Sequence, residues 1–405
     1  MCIRDRNITY GYSSYYSVDN QIFKNKTLAL LHANEKRLDI SAVKWHFHDS
    51  EFNSVNWAKE PLLSMNEFYA MRARQLREKY DYIIVMCSGG PDSTNVVHSF
   101  LKNGIHIDEI IASAPITGLR DWEDNTQDKS AENTISETKL AQIPFLQEIK
   151  QMYPRVKITL NDYFEDILGY EDTEWLIRST DYPHPTTIAR FDIEKFSHLQ
   201  QLAETDKRVG VIYGIDKPSI TIKGDKVYNT IHDYAVNVPI GFEKFENFHI
   251  ELFYFSHELP ELMVRQCHDL ARWLYLPENQ QALSLAMIHG NPVPNKFWHP
   301  GLFQRAIVPC IYPYIERSIW QAAKPSWNIM ANMDDWFYKH HGSLKVHDMM
   351  TSNINSALGK LHPFYFQYRE YYDEQGKLKK YRCGLKAFFK QFYIGEINDF
   401  KKIIG

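Results

Sequence analysis

Tyr82-Ile83-Ile84-Val85-Met86-Cys87 runs directly into Ser88-Gly89-Gly90-Pro91-Asp92-Ser93. Apolar side chains at successive positions, without alternation, are the pattern of a central parallel strand covered by helices on both faces. The polar bend then stops that strand abruptly. Val96, Val97, Phe100 and Leu101 follow at helical spacing, Asn103-Gly104 supply a left-handed stop, and Asp108 to Ala114 reads as a second strand. The stretch is therefore a strand, a bend, a helix and a strand in succession.

The same alternation extends on either side. Ser64-x-x-Glu67 is a capping box, and Met65, Tyr69, Ala73, Leu76 and Tyr80 recur behind it at helical spacing. Thr134 to Met152 has helical character, Val156 to Leu160 reads as a strand, and Val209 to Tyr213 reads as another central strand. The expected class is α/β, a doubly wound and mostly parallel sheet. Ile220 to Tyr228, turning at Gly224-Asp225, reads as a hairpin. Beyond Gly241 the pattern shifts to helices, as at Leu259, Leu262, Met263, Leu270 and Leu274. Three regions are expected: an N-terminal extension or small subdomain over 1–62, the α/β domain over 63–240 and a mainly helical C-terminal domain over 241–405.

The chain has 405 residues, 44% hydrophobic and 24% charged, which is ordinary for a globular protein. With 46 basic against 50 acidic side chains, it is not a wholly basic nucleic-acid binder. No apolar run approaches the ~20 residues that a membrane helix needs, so no membrane association is expected. Met1 to Arg6 shows charge with no apolar stretch behind it, unlike a secretory signal. Cys2, Cys87, Cys267, Cys310 and Cys383 are scattered and form no C-x-x-C pair, so neither a disulfide framework nor a cysteine-built zinc site is expected. These features together suggest a cytoplasmic protein. The 14% aromatic content reads as core packing.

Chemistry concentrates in the bend. Successive backbone N–H groups at the start of a helix, where the dipole is positive, form an anion site. Gly89 and Gly90 let the backbone approach phosphate oxygens, Ser88 and Ser93 offer hydroxyls, and Asp92 can hold Mg²⁺ or orient the loop. It is not a Walker loop, since no Gly-Lys-Ser/Thr closes it. His46 and His48 in Trp45-His46-Phe47-His48 would share a strand face, but no third metal ligand accompanies them and a plain strand is the expected reading.

Ser-Gly-Gly-x-Asp-Ser resembles the phosphate loop of the PP-loop ATP pyrophosphatase superfamily at every fixed position. The resemblance covers roughly Tyr80 to Asp216 and is nearest to the asparagine-synthetase-like synthetase domain. It implies a HUP-type sheet, ATP and Mg²⁺ as cofactors, and attack on the α-phosphate with release of pyrophosphate. Within it, Ser88, Gly89, Gly90, Asp92 and Ser93 would bind nucleotide, with Ala112 and Ser113 near adenine. Tyr213-Gly214-Ile215-Asp216-Lys217-Pro218 is similar to the branch's second acidic motif, although the usual G-x-G-x-D-E pattern is imperfect. Gly214 would lie at the nucleotide, Asp92 and Asp216 would hold the metal, and Lys217 would balance charge on the leaving group.

Arg178 and His184, in a turn-rich stretch between the motifs, are candidates for the acceptor site, Arg178 for an anion and His184 for a proton. The expected activity is adenylation of a carboxylate or carbonyl oxygen, followed by amide or C–N bond formation with ammonia or an amine. Cys2 is similar to an N-terminal glutaminase nucleophile, but too little chain precedes the bend for that domain, so ammonia would come free or from a separate glutaminase. One alternative is modification or thiolation of a nucleic-acid base, with Cys87 and Cys383 as the suggestive cysteines. A second is a catalytically silent nucleotide binder. The basic stretch Lys377 to Lys390 reads as a solvated surface segment before it reads as a nucleic-acid contact.

Overall fold

The computed structural model describes residues 14–114, 116, 138–162, 196–215, 219–233, 245–274, 276, 279, 310–315, 361–362, 365–372 and 378–401. Its centre is a five-stranded, all-parallel sheet built from β4 (Tyr82–Met86), β5 (Glu109–Ala114), β6 (Lys157–Asp162), β7 (Val209–Tyr213) and β10 (Phe248–Leu252). The spatial order is β6-β5-β4-β7-β10. Sequence order thus runs outward one way from β4 to β6, then reverses to β7 and β10 on the other side. The reversal falls between β4 and β7, where open α/β sheets place their ligand crevice.

Why these strands are central follows from their side chains. All five positions of β7 are buried, as are Ile83 to Met86 of β4, so both faces of the sheet are covered. α3 (Met65–Lys79) and α4 (Pro91–Leu101) belong to that cover, and α3 packs on both α4 and α7 (Glu261–Trp273). α3 starts at the expected capping box, with Ser64 and Glu67 side chains each meeting the other's backbone. α5 (Ile143–Met152), entered through a π-helical turn over Thr138–Gln142, leads into β6, and α6 (Ser197–Ala203) precedes β7. Gly210 of β7 faces the ring of Tyr80, which leaves no room for a Cβ.

Two antiparallel sheets flank the parallel one. β1 (Ser14–Val18), β2 (Gln21–Phe23) and β3 (Lys44–Phe47) form the first, in the order β2-β1-β3, with α1 (Lys26–Glu35) packed on it and α2 (Asp49–Ser54) following β3. The expected hairpin is present as β8 (Ser219–Lys223) and β9 (Lys226–His232), and β13 (Phe389–Glu396) pairs with β9 on its other side. β11 (Phe366–Tyr372) and β12 (Leu378–Leu385) form a separate ladder.

Those pairings correct the expected partition. β10 lies past Gly241 yet is the edge strand of the parallel sheet, so a boundary at 240/241 cuts through that sheet. The region over 241–405, expected to be mainly helical, contributes four strands and α7 among the described residues. The helical spacing from Leu259 to Leu274 belongs to α7 alone; the strands answer to partners far away in sequence. His46 and His48 do not share a strand face either: His48 has left the strand, at φ +43, and caps α2. No helix among the described residues is long and apolar enough to cross a membrane.

Candidate functional site

The bend between β4 and α4 is shaped by three backbone choices. Gly89 has φ +78, a region in which side chains are strained. Gly90 is the extended N-cap of α4, and Pro91 occupies the first helical turn, where its missing N–H costs nothing. Thr94 N–H makes the first bond of the helix, to Gly90 C=O at 3.0 Å, and no side chain of the cap residue closes that end. The result is a helix N-terminus opening at the C-terminal edge of the parallel sheet, at the point where strand order reverses.

The two serines brace the bend from within. Ser93 Oγ accepts the Ser88 N–H at 3.2 Å and stands 3.3 Å from Ser88 Oγ, which in turn accepts the Gly90 N–H at 3.4 Å. Ser93 is buried and Ser88 is exposed. Ser93 therefore holds the turn from its buried side, and Ser88 braces it from the exposed side.

β7 delivers the other wall. A Cβ on Gly214 would lie 2.9 Å from Asp92 O and 3.0 Å from Ser93 Cα, so the chain leaving β7 touches the first turn of α4. Gly214 is thus brought to the bend. Asp216 and Lys217 lie outside the described residues, as do Arg178 and His184. Among the expected adenine-side residues, Ala112 is fully buried in the core and Ser113 is half-buried at the end of β5. Ala112 acts as strand packing. Ser113 Oγ accepts from Asn161 Nδ2 at 3.2 Å, so it belongs to the sheet edge.

Three residues at the bend had no local signal in the sequence. Gln142, buried at the end of the π-helical turn, donates through Nε2 to Cys87 C=O at 3.0 Å and to Ser113 C=O at 3.4 Å, bridging the ends of β4 and β5. Tyr254, just past β10, donates to Asp92 C=O at 2.7 Å and accepts from Asn95 Nδ2 at 3.1 Å. Tyr312 donates its hydroxyl to the Asp92 carboxylate. Burial pushes the Tyr254 and Tyr312 hydroxyls well above the usual tyrosine range, with the Asp92 charge acting the same way, so both remain protonated donors. These contacts span 29 to 220 residues of sequence, which is why no motif announces them.

The bend's donor set fits an anion: a positive helix end, a glycine-shaped backbone and an exposed serine. Asp92 is the one expected metal ligand within the described residues, and no group of three His, Cys, Asp or Glu able to hold a metal occurs among them. Cys87, one of the two cysteines suggestive of thiolation, is buried and its thiol is pushed up to about 11 by that burial, so it is protonated and shielded at neutral pH. No family model, curated protein or solved structure matches the chain.

Proposed function

We propose that the protein is an ATP-dependent adenylating enzyme of the PP-loop type, its bend holding the pyrophosphate part of ATP while an acceptor oxygen attacks the α-phosphorus. The observation that carries this reading is the Ser-Gly-Gly-Pro-Asp-Ser bend at the crevice between β4 and β7, with Gly214 packed against it. As the bond to the bridging oxygen breaks, pyrophosphate leaves with the electron pair. Negative charge then grows beside the α4 N-terminus and the Ser88 hydroxyl, where fixed dipoles stabilise it most. An amine or ammonia, free or delivered by a separate glutaminase, would next displace AMP from the activated acceptor.

Asp92 and Asp216 would hold Mg²⁺, which when bound neutralises charge on the phosphates. Lys217 would add a cation to the leaving group, and Arg178 and His184 would serve the acceptor. A carboxylate is the acceptor class best suited to this route, because its mixed anhydride with AMP is a far better acyl donor than the free acid. A cytoplasmic setting, where ATP is abundant, suits it.

A second reading, a nucleotide binder without turnover, is favoured by one observation: the Asp92 carboxylate is engaged by Tyr312 rather than left open to a metal. One experiment separates the two. Purified protein is given MgATP with pools of carboxylate and amine acceptors, and ATP binding and pyrophosphate release are both followed. Acceptor-dependent release supports adenylation, and binding without release across the pools supports the silent binder. Absence of ATP binding overturns both, and release that requires RNA or DNA would assign the chemistry to a nucleic-acid base.

A further inference from the structure

On elements other than those that form the bend, β1, β3 and the start of α2 bring together a serine, a histidine and an aspartate. Ser17 Oγ lies 2.9 Å from His46 Nε2, and His46 Nδ1 lies 2.8 Å from Asp49 Oδ2. An ionised carboxylate can only accept, so Nδ1 carries a ring proton, and in the neutral imidazole Nε2 turns its lone pair to the Ser17 hydroxyl. That is the connectivity by which a base activates a serine nucleophile while a third group fixes its tautomer.

The sheet explains why the three meet. In the β1–β3 ladder Tyr15 pairs with His46 and Ser17 with Lys44, so Ser17 and His46 are diagonal neighbours on one face. It is the face turned away from the core, since Tyr16, Val18, Trp45 and Phe47 fill the other. The His46 ring stacks on Tyr15 at 4.5 Å between centroids and 15° between planes. Asp49 is fixed in turn: its Oδ1 accepts the Phe47 N–H at 3.2 Å and pairs with Lys390 Nζ at 2.5 Å. Burial works against the Asp49 charge, but the Lys390, His46 and Phe47 donors outweigh it and hold this carboxyl below the usual carboxylate range. His46 and Asp49 keep 29% and 36% side-chain exposure, so a substrate can reach the pair.

From this geometry we infer a second reactive site, a Ser17–His46–Asp49 relay that hydrolyses small activated carboxylic esters. Ser17 Oγ attacks the carbonyl carbon as its proton passes to His46 Nε2. The C–O bond to the alcohol breaks, and the leaving oxygen takes that proton. Water then attacks the acyl-serine, giving its proton to His46, and the acid departs as Ser17 Oγ regains a proton. Ester and water become acid and alcohol, with no redox partner. Lys44, exposed and directly across the ladder from Ser17, is the cation placed for the developing oxyanion. The partial exposure of this face suits a small ester or one carried at the end of a longer molecule.

The test uses the full chain with a fluorophosphonate probe and 4-nitrophenyl acetate, and does not depend on the ATP chemistry. The expected result is one covalent adduct, mapped to Ser17 by peptide mass spectrometry and abolished by heat unfolding. Ester turnover should fall about 100-fold or more in Ser17→Ala and His46→Gln, the scale of general-base assistance. Asp49→Asn, which permits the wrong tautomer, should lose rate with its adduct still at Ser17. Adducts no faster than in unfolded protein, adducts on other residues, or full turnover in a folded Ser17→Ala would each overturn the assignment.

Discussion

Gly89 is the residue on which the bend between β4 and α4 turns, and two independent constraints act there. Its φ of +78 disfavours any side chain, and an added Cβ would lie 2.5 Å from Gln142 Cα, a backbone atom that cannot swing aside. Gly89→Ala is therefore expected to cost about 1–3 kcal/mol in urea unfolding, the range for a strained backbone position, and to weaken ATP binding through displacement of the bend. Asp92→Ala and Ser93→Ala test the chemistry more directly. Both are expected to abolish pyrophosphate release, Ser93 because its hydroxyl holds the Ser88 amide and Asp92 as the proposed metal ligand. Full turnover in either folded variant would refute the adenylation reading. At this scale the sequence was informative: glycine and proline at the bend announce backbone geometry by their chemistry alone. The hydroxyls of Tyr254 and Tyr312 were not legible, because a tyrosine looks the same in sequence whether it fills a core or grips an aspartate 220 residues away.

Elements are fastened by charge as well as by apolar packing, most visibly between α3 and the strand it flanks. Arg72, buried on α3, pairs with Glu251 at 2.8 Å and Glu258 at 3.1 Å, while Lys79 reaches the same two carboxylates at 2.7 and 2.8 Å and Tyr80 donates to Glu251. Burial raises the carboxyls of Glu251 and Glu258, but these cations outweigh it and both lie below the ordinary value of 4.5. The unfolded chain then takes up protons first, so this contribution is present above pH 4.5 and is lost as pH falls through the folded values. His48 and His98 act earlier with the same sign, since burial depresses each from 6.5 to about 4 and the unfolded histidines protonate first. Urea stability should thus decline from pH 6.5 towards 4 and continue to fall below as the glutamates are protonated. His98→Leu should flatten the upper limb, and Arg72→Met should lower stability at pH 7 by about 1–3 kcal/mol, since Glu251 loses one charged donor while Lys79 and Tyr80 still hold it. An Arg72→Met protein of unchanged stability would show the network to be dispensable. The helix and strand around the bend could be read from local spacing, capping and apolar runs. β10 could not, because Phe248-His249-Ile250-Glu251-Leu252 becomes a sheet edge only through its parallel pairing with β7.

Across the whole molecule, the N-terminal segment is tied to the end of β9 by a buried ion pair. Lys26, at the start of α1, meets Asp233, just beyond β9, at 2.9 Å with both side chains almost wholly excluded from water. Tyr16 of β1 donates to the same carboxylate at 2.8 Å, and Asp233 closes onto Phe388 in both directions, its Oδ1 accepting the Phe388 N–H and its own N–H donating to Phe388 C=O. The β1 sheet, the β9 sheet and the segment entering β13 thus share one carboxylate, while the apolar core runs as one cluster from Tyr16 to Phe400. Sequence spacing suggested three separable regions because it registers local periodicity, whereas long-range pairing decides whether regions share a core. A shared core predicts a single unfolding transition reporting on all parts. Lys26→Met should shift that transition down by about 3–5 kcal/mol, because the Asp233 charge is left buried without its cation. The double variant Lys26→Met with Asp233→Leu should recover part of the loss, since an apolar pair removes that charge even though Tyr16 and Phe388 lose their acceptor. Separate transitions for the N-terminal and central sheets in wild-type protein, or a double variant no more stable than Lys26→Met, would show that the pair does not couple them.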